Sequence, residues 1–234
     1  MPYIRSTPLF YYNKTMADAK GLTAPTTVEE MEEFCKALYE EGSVSGLCIG
    51  NDFGYLQAAH LYQLGSAYLA DDGNSSPLED GTMEKVLGDW RSWVDEGWCE
   101  AYDATDAGTV MTEEFSQQKL ASMIGSSGML ATLSQNAKDN GFELGASQYP
   151  TYDAEKPVAM IGGGNVCIIS EGNTDEQIKA SWEFVQFLMS DEEVTYNTMH
   201  TGYVPVTKSV ADYEGMKDFW NENIVEMVQE DCLL

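Results

Sequence analysis

The sequence predicts an α/β fold, and three observations carry that expectation. Short β-branched or aromatic runs alternate with longer amphipathic runs along the whole chain, the pattern that lays helices over a central sheet. Helix-start signatures, a small polar residue followed three positions later by Glu, stand ahead of several apolar stripes. Apolar residues make up 43% and aromatics 11% of 234 residues, enough for one large or two small domains with a substantial core.

Leu9-Phe-Tyr-Tyr12 reads as a short aromatic strand ended by Asn13-Lys14. Thr27 and Glu30 form a capping box ahead of a helix whose Val28, Met31, Cys35 and Leu38 share one face. Ser45 to Ile49 is a strand running into the turn Gly50-Asn-Asp-Phe-Gly54, and Tyr55 to Leu69 is a helix rich in Tyr, Leu and Ala. Thr82 is expected to cap the next helix, where Met83, Val86, Leu87, Trp90, Trp93 and Val94 make a heavy apolar stripe. A tryptophan stripe at helical spacing is core, and Trp90 and Trp93 are assigned to it.

Residues 110–118 are expected to be helical, and Lys119 to Ile124 to form a buried strand. Ser126-Ser127-Gly128 follows and opens a helix from Met129 to Lys138. Phe142 to Tyr149 is a strand closed by Pro150, and Met160 to Ser170 a strand carrying three glycines. The last third is helical: Asn173 with Glu176, and Ser190 with Glu193, cap two helices. After Thr201-Gly-Tyr-Val-Pro205 comes an amphipathic stretch through Met216, Phe219, Trp220, Ile224 and Val228.

Charge excludes several functions. Asp and Glu number 39 against 12 Lys and Arg, for a net charge of -27. Such a surface repels phosphodiester backbones and anionic lipid, so neither nucleic acid nor a membrane surface is an expected partner. Five cysteines, Cys35, Cys48, Cys99, Cys167 and Cys232, are odd in number and form no CxxC pair. Most read as small buried hydrophobes, Cys35 on a helix face and Cys167 within a strand, and no metal site or cofactor is expected. His60 and His200 belong to no ligand-spaced motif, and His60, in an aromatic helix, reads as a packed residue. No apolar run reaches the roughly 18 residues of a membrane span, and no charged-then-apolar signal sequence opens the chain.

Gly162-Gly163-Gly164 invites a phosphate-loop reading, but the residues match neither GxxxxGK[ST] nor GxGxxG. A strand follows the glycines rather than a helix N-terminus that would hold an anion. Bare backbone there answers the close approach of a ligand or of another chain segment. Ser126-Ser127-Gly128, at a strand end and helix start, is either a hydroxyl- or anion-binding turn or a plain helix cap. Tyr203, held between Gly202 and Pro205, and Phe53 and Tyr55 around Gly54 are either packing lids or stacking platforms for sugar faces. Paired carboxylates for hydrolysis cannot be singled out among 39 acids, and no enzymatic set is found.

The order of segments resembles the family 1 solute-binding proteins of ABC importers. The matching pieces are Arg5-Ser-Thr-Pro-Leu-Phe-Tyr-Tyr-Asn-Lys14, Thr-Val-Glu-Glu-Met31, Gln118-Lys-Leu-Ala-Ser-Met-Ile-Gly-Ser-Ser-Gly128, Gly163-Gly164, Ala180 to Leu188, and Thr201-Gly-Tyr-Val-Pro-Val206. Within the family they look most like the sugar and glycerol-3-phosphate-binding branch.

The resemblance implies a periplasmic-binding-protein-like (type II) α/β lobe, a central mixed sheet flanked by helices. It implies that residues 1–234 are mostly the C-terminal lobe, with hinge-crossing segments near 6–13 and 160–170 and the N-terminal lobe largely absent. The implied function is capture of a carbohydrate or glycerol phosphate by two-lobe closure, without catalysis; the alternative is a carbohydrate-active hydrolase using two acids. The implied partners are a small sugar or polyol phosphate and the permease subunits, with self-association through an exposed cleft face a further expectation.

The implied location of the full-length protein is the extracellular face, lipid-anchored, or the periplasm, with anchor and signal peptide outside this chain. Carried over by segment, the ligand-binding candidates are Ser126, Ser127, Gly163, Gly164, Tyr203, Tyr55, Phe53 and Arg5. Relatives place tryptophans where this sequence has Asn51-Asp-Phe-Gly-Tyr55, which leaves the exact ligand open.

Overall fold

The computed structural model describes residues 1–50, 53–69, 73, 78–102, 106–155 and 161–222, with backbone alone described for 53–57, 221 and 222. In chain order the elements begin with strands β1 (Pro2–Ser6) and β2 (Pro8–Asn13), helices α1 (Lys14–Ala19) and α2 (Val28–Leu38), and β3 (Leu47–Ile49). Next come α3 (Phe53–Gln63), α4 (Thr82–Asp95), β4 (Cys99–Ala101), α5 (Ala107–Ser116) and β5 (Ser122–Ser126). A 3-10 turn (Ser127–Met129) leads into α6 (Leu130–Asn140) and β6 (Leu144–Gln148). The final segment holds β7 (Gly162–Asn165), α7 (Asp175–Leu188), α8 (Asp191–Thr201), a second 3-10 turn (Lys208–Asp212) and α9 (Met216–Glu222).

Two compact units divide these elements. The larger comprises Pro8–Gly125 and Thr132–Met160; the smaller comprises Met1–Thr7, Ser126–Ala131 and Ile161–Leu234.

In the larger unit β2 is the middle strand between β5 and β6, antiparallel to β6 with Tyr11 opposite Ala146, and β3 pairs parallel with β4. A parallel bridge between Ser45 and Leu120 stitches the two groups: the Ser45 amide donates to the Lys119 carbonyl at 2.8 Å and the Ala121 amide to the Ser45 carbonyl at 2.8 Å. The result is a mixed sheet. Leu9, Phe10 and Tyr11 are wholly buried in β2, as a strand covered on both faces requires.

Helix α2 forms because its capping box is real: the Thr27 hydroxyl accepts from the Glu30 amide at 3.2 Å and the Glu30 carboxylate accepts from the Thr27 amide at 3.2 Å. Its apolar stripe (Val28, Met31, Phe34, Cys35, Leu38) is buried, and Phe34 meets Phe10 and Tyr12 edge-on at 5.7 and 5.3 Å. Trp90 and Trp93 of α4 are 6% and 2% exposed, so the tryptophan stripe is core as its spacing predicts. The Trp93 indole N–H donates to Glu32 at 2.9 Å, which satisfies its polar edge.

His60 of α3 is 1% exposed and stacks on Tyr149 at 4.8 Å, with Trp90 and Tyr152 edge-on. Neither ring nitrogen has a hydrogen-bond partner. Burial pushes its pKa down to about 3, against an opposing pull from Asp89. It is a packed aromatic, not a catalyst.

Several expectations shift. Helix α3 stops at Gln63, short of Leu69, because Gly65 (φ +80°) turns the chain left-handed and the Ser66 amide bonds back to the Leu61 carbonyl at 2.8 Å. Gly81, not Thr82, is the cap of α4; the Thr82 amide is held instead by Asp80 at 2.8 Å. The start of α7 lies one residue later than Asn173 with Glu176, since Thr174 and Gln177 form the capping box there. Asn173 instead donates to the Ile169 carbonyl at 2.8 Å.

β7 ends at Asn165, where its pairing with β1 ends at Pro2. Cys167 therefore lies outside the strand and is exposed, unlike the buried Cys35, Cys48 and Cys99. The last amphipathic stretch divides into a 3-10 turn and α9, with Val210, Met216 and Trp220 buried together with Val194; Ile224, Val228 and Cys232 lie outside the described residues.

Candidate functional site

Strand β1 is the spine of the smaller unit. Its sequence, Pro-Tyr-Ile-Arg-Ser, is bracketed by Pro2 and Pro8, and proline confines a strand to an edge or a short piece. Three distant segments attach to its backbone in succession. β7 pairs with it antiparallel, with Ile4 opposite Gly164, Arg5 opposite Gly163 and Ser6 opposite Gly162. The Val204 amide donates to the Arg5 carbonyl at 2.8 Å. The Ser127 amide donates to the Thr7 carbonyl at 2.8 Å, and the Thr7 amide donates back to the Ser127 hydroxyl at 3.4 Å.

Arg5, Ser126, Ser127, Gly163, Gly164 and Tyr203 are thereby gathered around one strand. Each has a definable state. Gly163 takes φ +110°, and a Cβ there would lie 2.0 Å from the Ile4 carbonyl oxygen. Its missing side chain thus serves the approach of another chain segment. Gly164, paired with Ile4 in the ladder, is exposed, and a Cβ there would meet nothing within 4 Å, so the space beside its Cα is open.

Ser126 is half-buried and caps the 3-10 turn, its hydroxyl accepting from the Gly128 amide at 3.1 Å. Ser127 is fully buried with its hydroxyl turned to Thr7. Two of the turn's first amides are thus satisfied within the protein, which removes them as anion donors.

Tyr203 follows Gly202, the left-handed cap of α8 (φ +91°), where a Cβ would strike the Ser127 carbonyl at 2.5 Å and Leu130 at 2.7 Å. The tyrosine ring lies against Gly128, where a Cβ would sit 2.8 Å from the ring. The ring is half-buried and so presents part of its surface outward. Arg5, also half-buried, is aimed by Asn165, whose side-chain oxygen accepts from its guanidinium at 2.6 Å.

An aromatic ring, a cation, a hydroxyl and bare main chain are the groups that hold a polyhydroxylated or phosphorylated small molecule. Phe53 and Tyr55 fall in α3, where only the backbone is described, so their side chains lie outside the described residues.

Asn165 escaped sequence reasoning as a site-builder, and Gly128 and Gly202 were read as turn residues without the contacts to Tyr203, Ser127 and Leu130 that they make room for. Asn165 does follow the three glycines directly, and Gly202 precedes Tyr203, so the signals were adjacent but carried no pairing information. Among the described residues no group of three or more His, Cys, Asp or Glu is placed to hold a metal ion, and no helix is long and apolar enough to cross a membrane.

Residues 1–226 match the family model described as bacterial extracellular solute-binding protein. The chain is 26% identical over 235 residues to the sn-glycerol-3-phosphate-binding periplasmic protein UgpB of Escherichia coli K12, covering 95% of this chain and 52% of that protein. It thus spans about half the length of the curated relatives it matches.

Among solved structures, UgpB from Mycobacterium tuberculosis in complex with glycerophosphocholine superposes with a TM-score of 0.86 at 26% identity, covering all of this chain and 58% of that one. The GacH receptor of Streptomyces glaucescens, solved unliganded and with acarbose, gives a TM-score of 0.80 at 22% identity with the same coverages of 100% and 58%; that likeness is one of fold. The architecture is that of type II periplasmic binding proteins. The chain belongs to the bacterial extracellular solute-binding protein family.

Proposed function

We propose that the complete protein is the solute-binding component of an ABC importer, capturing a small carbohydrate or polyol phosphate by closure of two lobes. The observation that carries this reading is the convergence on β1 of Arg5, Ser126, Gly164 and Tyr203 from four separate stretches of chain. Tyr203 offers a stacking face for the CH patches of a sugar or glycerol moiety, and Arg5 a planar cation suited to a phosphate oxygen. On this reading Ser126 and the exposed Gly164 lie against the ligand's hydroxyl groups.

Residues 1–234 are read as mostly the C-terminal lobe, with the hinge crossings near 6–13 and 160–170. Ligand contacts from the other lobe complete the site on closure, and the closed state is what the permease subunits recognise. UgpB is a periplasmic protein and the matching family an extracellular one, which supports an extracytoplasmic location, with or without a lipid anchor, for this protein. No bond is made or broken. The relatives named above are binding proteins, and nothing among them favours the hydrolase alternative.

The test is calorimetry of the full-length protein against sn-glycerol-3-phosphate, glycerophosphocholine and maltose, with chromatography of each ligand afterwards. Saturable binding of one of them, recovered unchanged, is expected. Turnover abolished by a single acid substitution, or no heat with any member of the panel, overturns the reading.

A further inference from the structure

Helix α3 is held in the larger unit by an apolar face that contains one titratable side chain. Ala58, Ala59 and Leu61 are buried, and His60 is buried with them. The imidazole stacks on Tyr149 at 4.8 Å with the planes 15° apart, and meets Tyr152 at 5.1 Å and Trp90 at 6.1 Å edge-on. Neither ring nitrogen bonds to any described group of the protein. The charges nearest the ring are committed elsewhere. The Asp89 carboxylate of α4 accepts from Lys85 at 2.9 Å and from the Tyr152 hydroxyl at 2.7 Å, and Lys85 lies over the Tyr152 ring at 4.7 Å. Glu32 of α2, the other acid felt by Tyr152, accepts from the Trp93 indole at 2.9 Å. Burial holds both neighbouring phenols, Tyr149 and Tyr152, above their ordinary range, so neither supplies a negative charge in neutral or acid solution. No other residue of α3 is charged.

We propose that His60 is an acid-released latch for α3: protonation of the buried ring frees this helix from Tyr149, Trp90 and Tyr152 while β2, β5 and β6 stay paired. An imidazolium is a donor at both nitrogens, and no acceptor among the described residues faces either one. In the opened helix both nitrogens reach water, and the ring takes up its proton near pH 6.5. His60 therefore holds α3 closed above pH 6.5, and the hold weakens as pH falls below it. The rest of the helix offers little resistance. Its eleven residues are too few to persist alone in water, and without a charged residue besides His60 it has no ion pair. Among the described residues its one printed side-chain bond is from Gln63 to the Pro150 carbonyl at 3.3 Å. The sheet is better secured: β2 is laddered to β6 over five residue pairs, with Leu9, Phe10 and Tyr11 wholly buried. Opening is thus confined to α3. For a solute-binding protein outside the cytoplasm, the pH that sets the latch is that of the medium; this use rests on the proposed function, and the latch itself does not.

Native-state hydrogen exchange of the full-length protein, followed across pH and at low urea concentrations, tests the latch. Protection of the α3 amides, corrected for the intrinsic pH dependence of exchange, should fall about tenfold per pH unit below 6.5, to about 100-fold at pH 4.5. It should depend little on urea, as a local opening requires. Amides of β2 and β6 should stay better protected than those of α3 and keep a steep urea dependence. His60→Phe should remove the pH dependence from α3. His60→Gln, neutral throughout this range, makes the same test in case the phenylalanine does not pack.

Protection of α3 that ignores pH overturns the proposal. So does a fall shared with β2 and β6 at one urea dependence, which makes the event global unfolding. A pH dependence kept in either folded variant also overturns it, since the proton then belongs to another group. Ligand binding is read separately: α3 released by acid in a protein that binds no solute defeats the solute-binding reading alone, and α3 unmoved by acid in one that binds defeats the latch alone.

Discussion

Gly163 and Gly164 are neighbours on one short strand, and the structure assigns them opposite tolerances. An alanine at Gly163 would have to hold φ +110°, a region that costs an L-residue about 1–3 kcal/mol. Its Cβ would also sit 2.0 Å from the Ile4 carbonyl oxygen, more than an ångström inside contact distance. The obstacle is backbone and cannot rotate away, so β1 and β7 must separate, at an overpacking cost of about 1–3 kcal/mol. Together Gly163→Ala should weaken the β1–β7 ladder by about 2–6 kcal/mol. Gly164→Ala meets nothing within 4 Å and should stay within about 0.5 kcal/mol.

Amide exchange in β1 and β7, measured by mass spectrometry, separates the two. Gly163→Ala should speed it by about 30-fold or more, the equivalent of about 2 kcal/mol, while Gly164→Ala leaves it near wild type. Equal behaviour of the two variants would refute the reasoning that Gly163 is there for the chain and Gly164 is open.

Three further outcomes are expected. Replacing Tyr203 by Ala should weaken ligand binding to the full-length protein by about 1–3 kcal/mol, the worth of a stacking aromatic; unchanged affinity in calorimetry removes it from the site. His60 is held neutral in the fold, with its pKa pushed down to about 3, whereas the unfolded chain takes up that proton near pH 6.5. Its contribution is therefore complete above pH 6.5 and is lost as pH falls toward 3, by at most about 1.4 kcal/mol per pH unit. His60→Phe should flatten the fall of urea-measured stability between pH 6.5 and 4.5, and parallel slopes for the two proteins would contradict this. For the thiols, burial raises Cys35 to about 12 and lifts Cys48 and Cys99 as well. Of the four described cysteines, Cys167 alone should react with iodoacetamide under native conditions, and a peptide map showing prompt labelling of Cys48 or Cys99 would count against the packing.

Local chemistry made much of the fold legible. The Thr27–Glu30 box and the Trp90–Trp93 stripe each combine a terminus signal or a 3.6-residue period with large apolar side chains, and both form as read. Elements whose reason is non-local were invisible. β1 is extended because β7, Val204 and Thr7's partner Ser127 bond to it across more than a hundred residues of chain, and nothing in Pro-Tyr-Ile-Arg-Ser announces that. β4 and α1 were missed as well, the first being three residues long and the second a single six-residue segment capped by Asn13.

The same division holds at the site. The glycines, the serine turn and Tyr203 stand out by residue type, because only certain residues fit turns and close approaches. Their gathering around β1, the aiming of Arg5 by Asn165 and the burial of Ser127 are consequences of tertiary pairing. The expectation that Cys167 lies buried within a strand failed for that reason: Val166 still bonds to Met1, but Cys167-Ile-Ile, of strand composition, lies beyond that last pairing.

The central claim is that ligand is held where β1 gathers its partners. A crystal structure of the full-length protein with the ligand chosen by calorimetry tests it most directly. Ligand atoms within about 4 Å of the Tyr203 ring and the Gly164 backbone, with Arg5 or Ser126 in hydrogen-bond reach, are the predicted result. A ligand seated elsewhere, touching none of these four residues, would contradict the account.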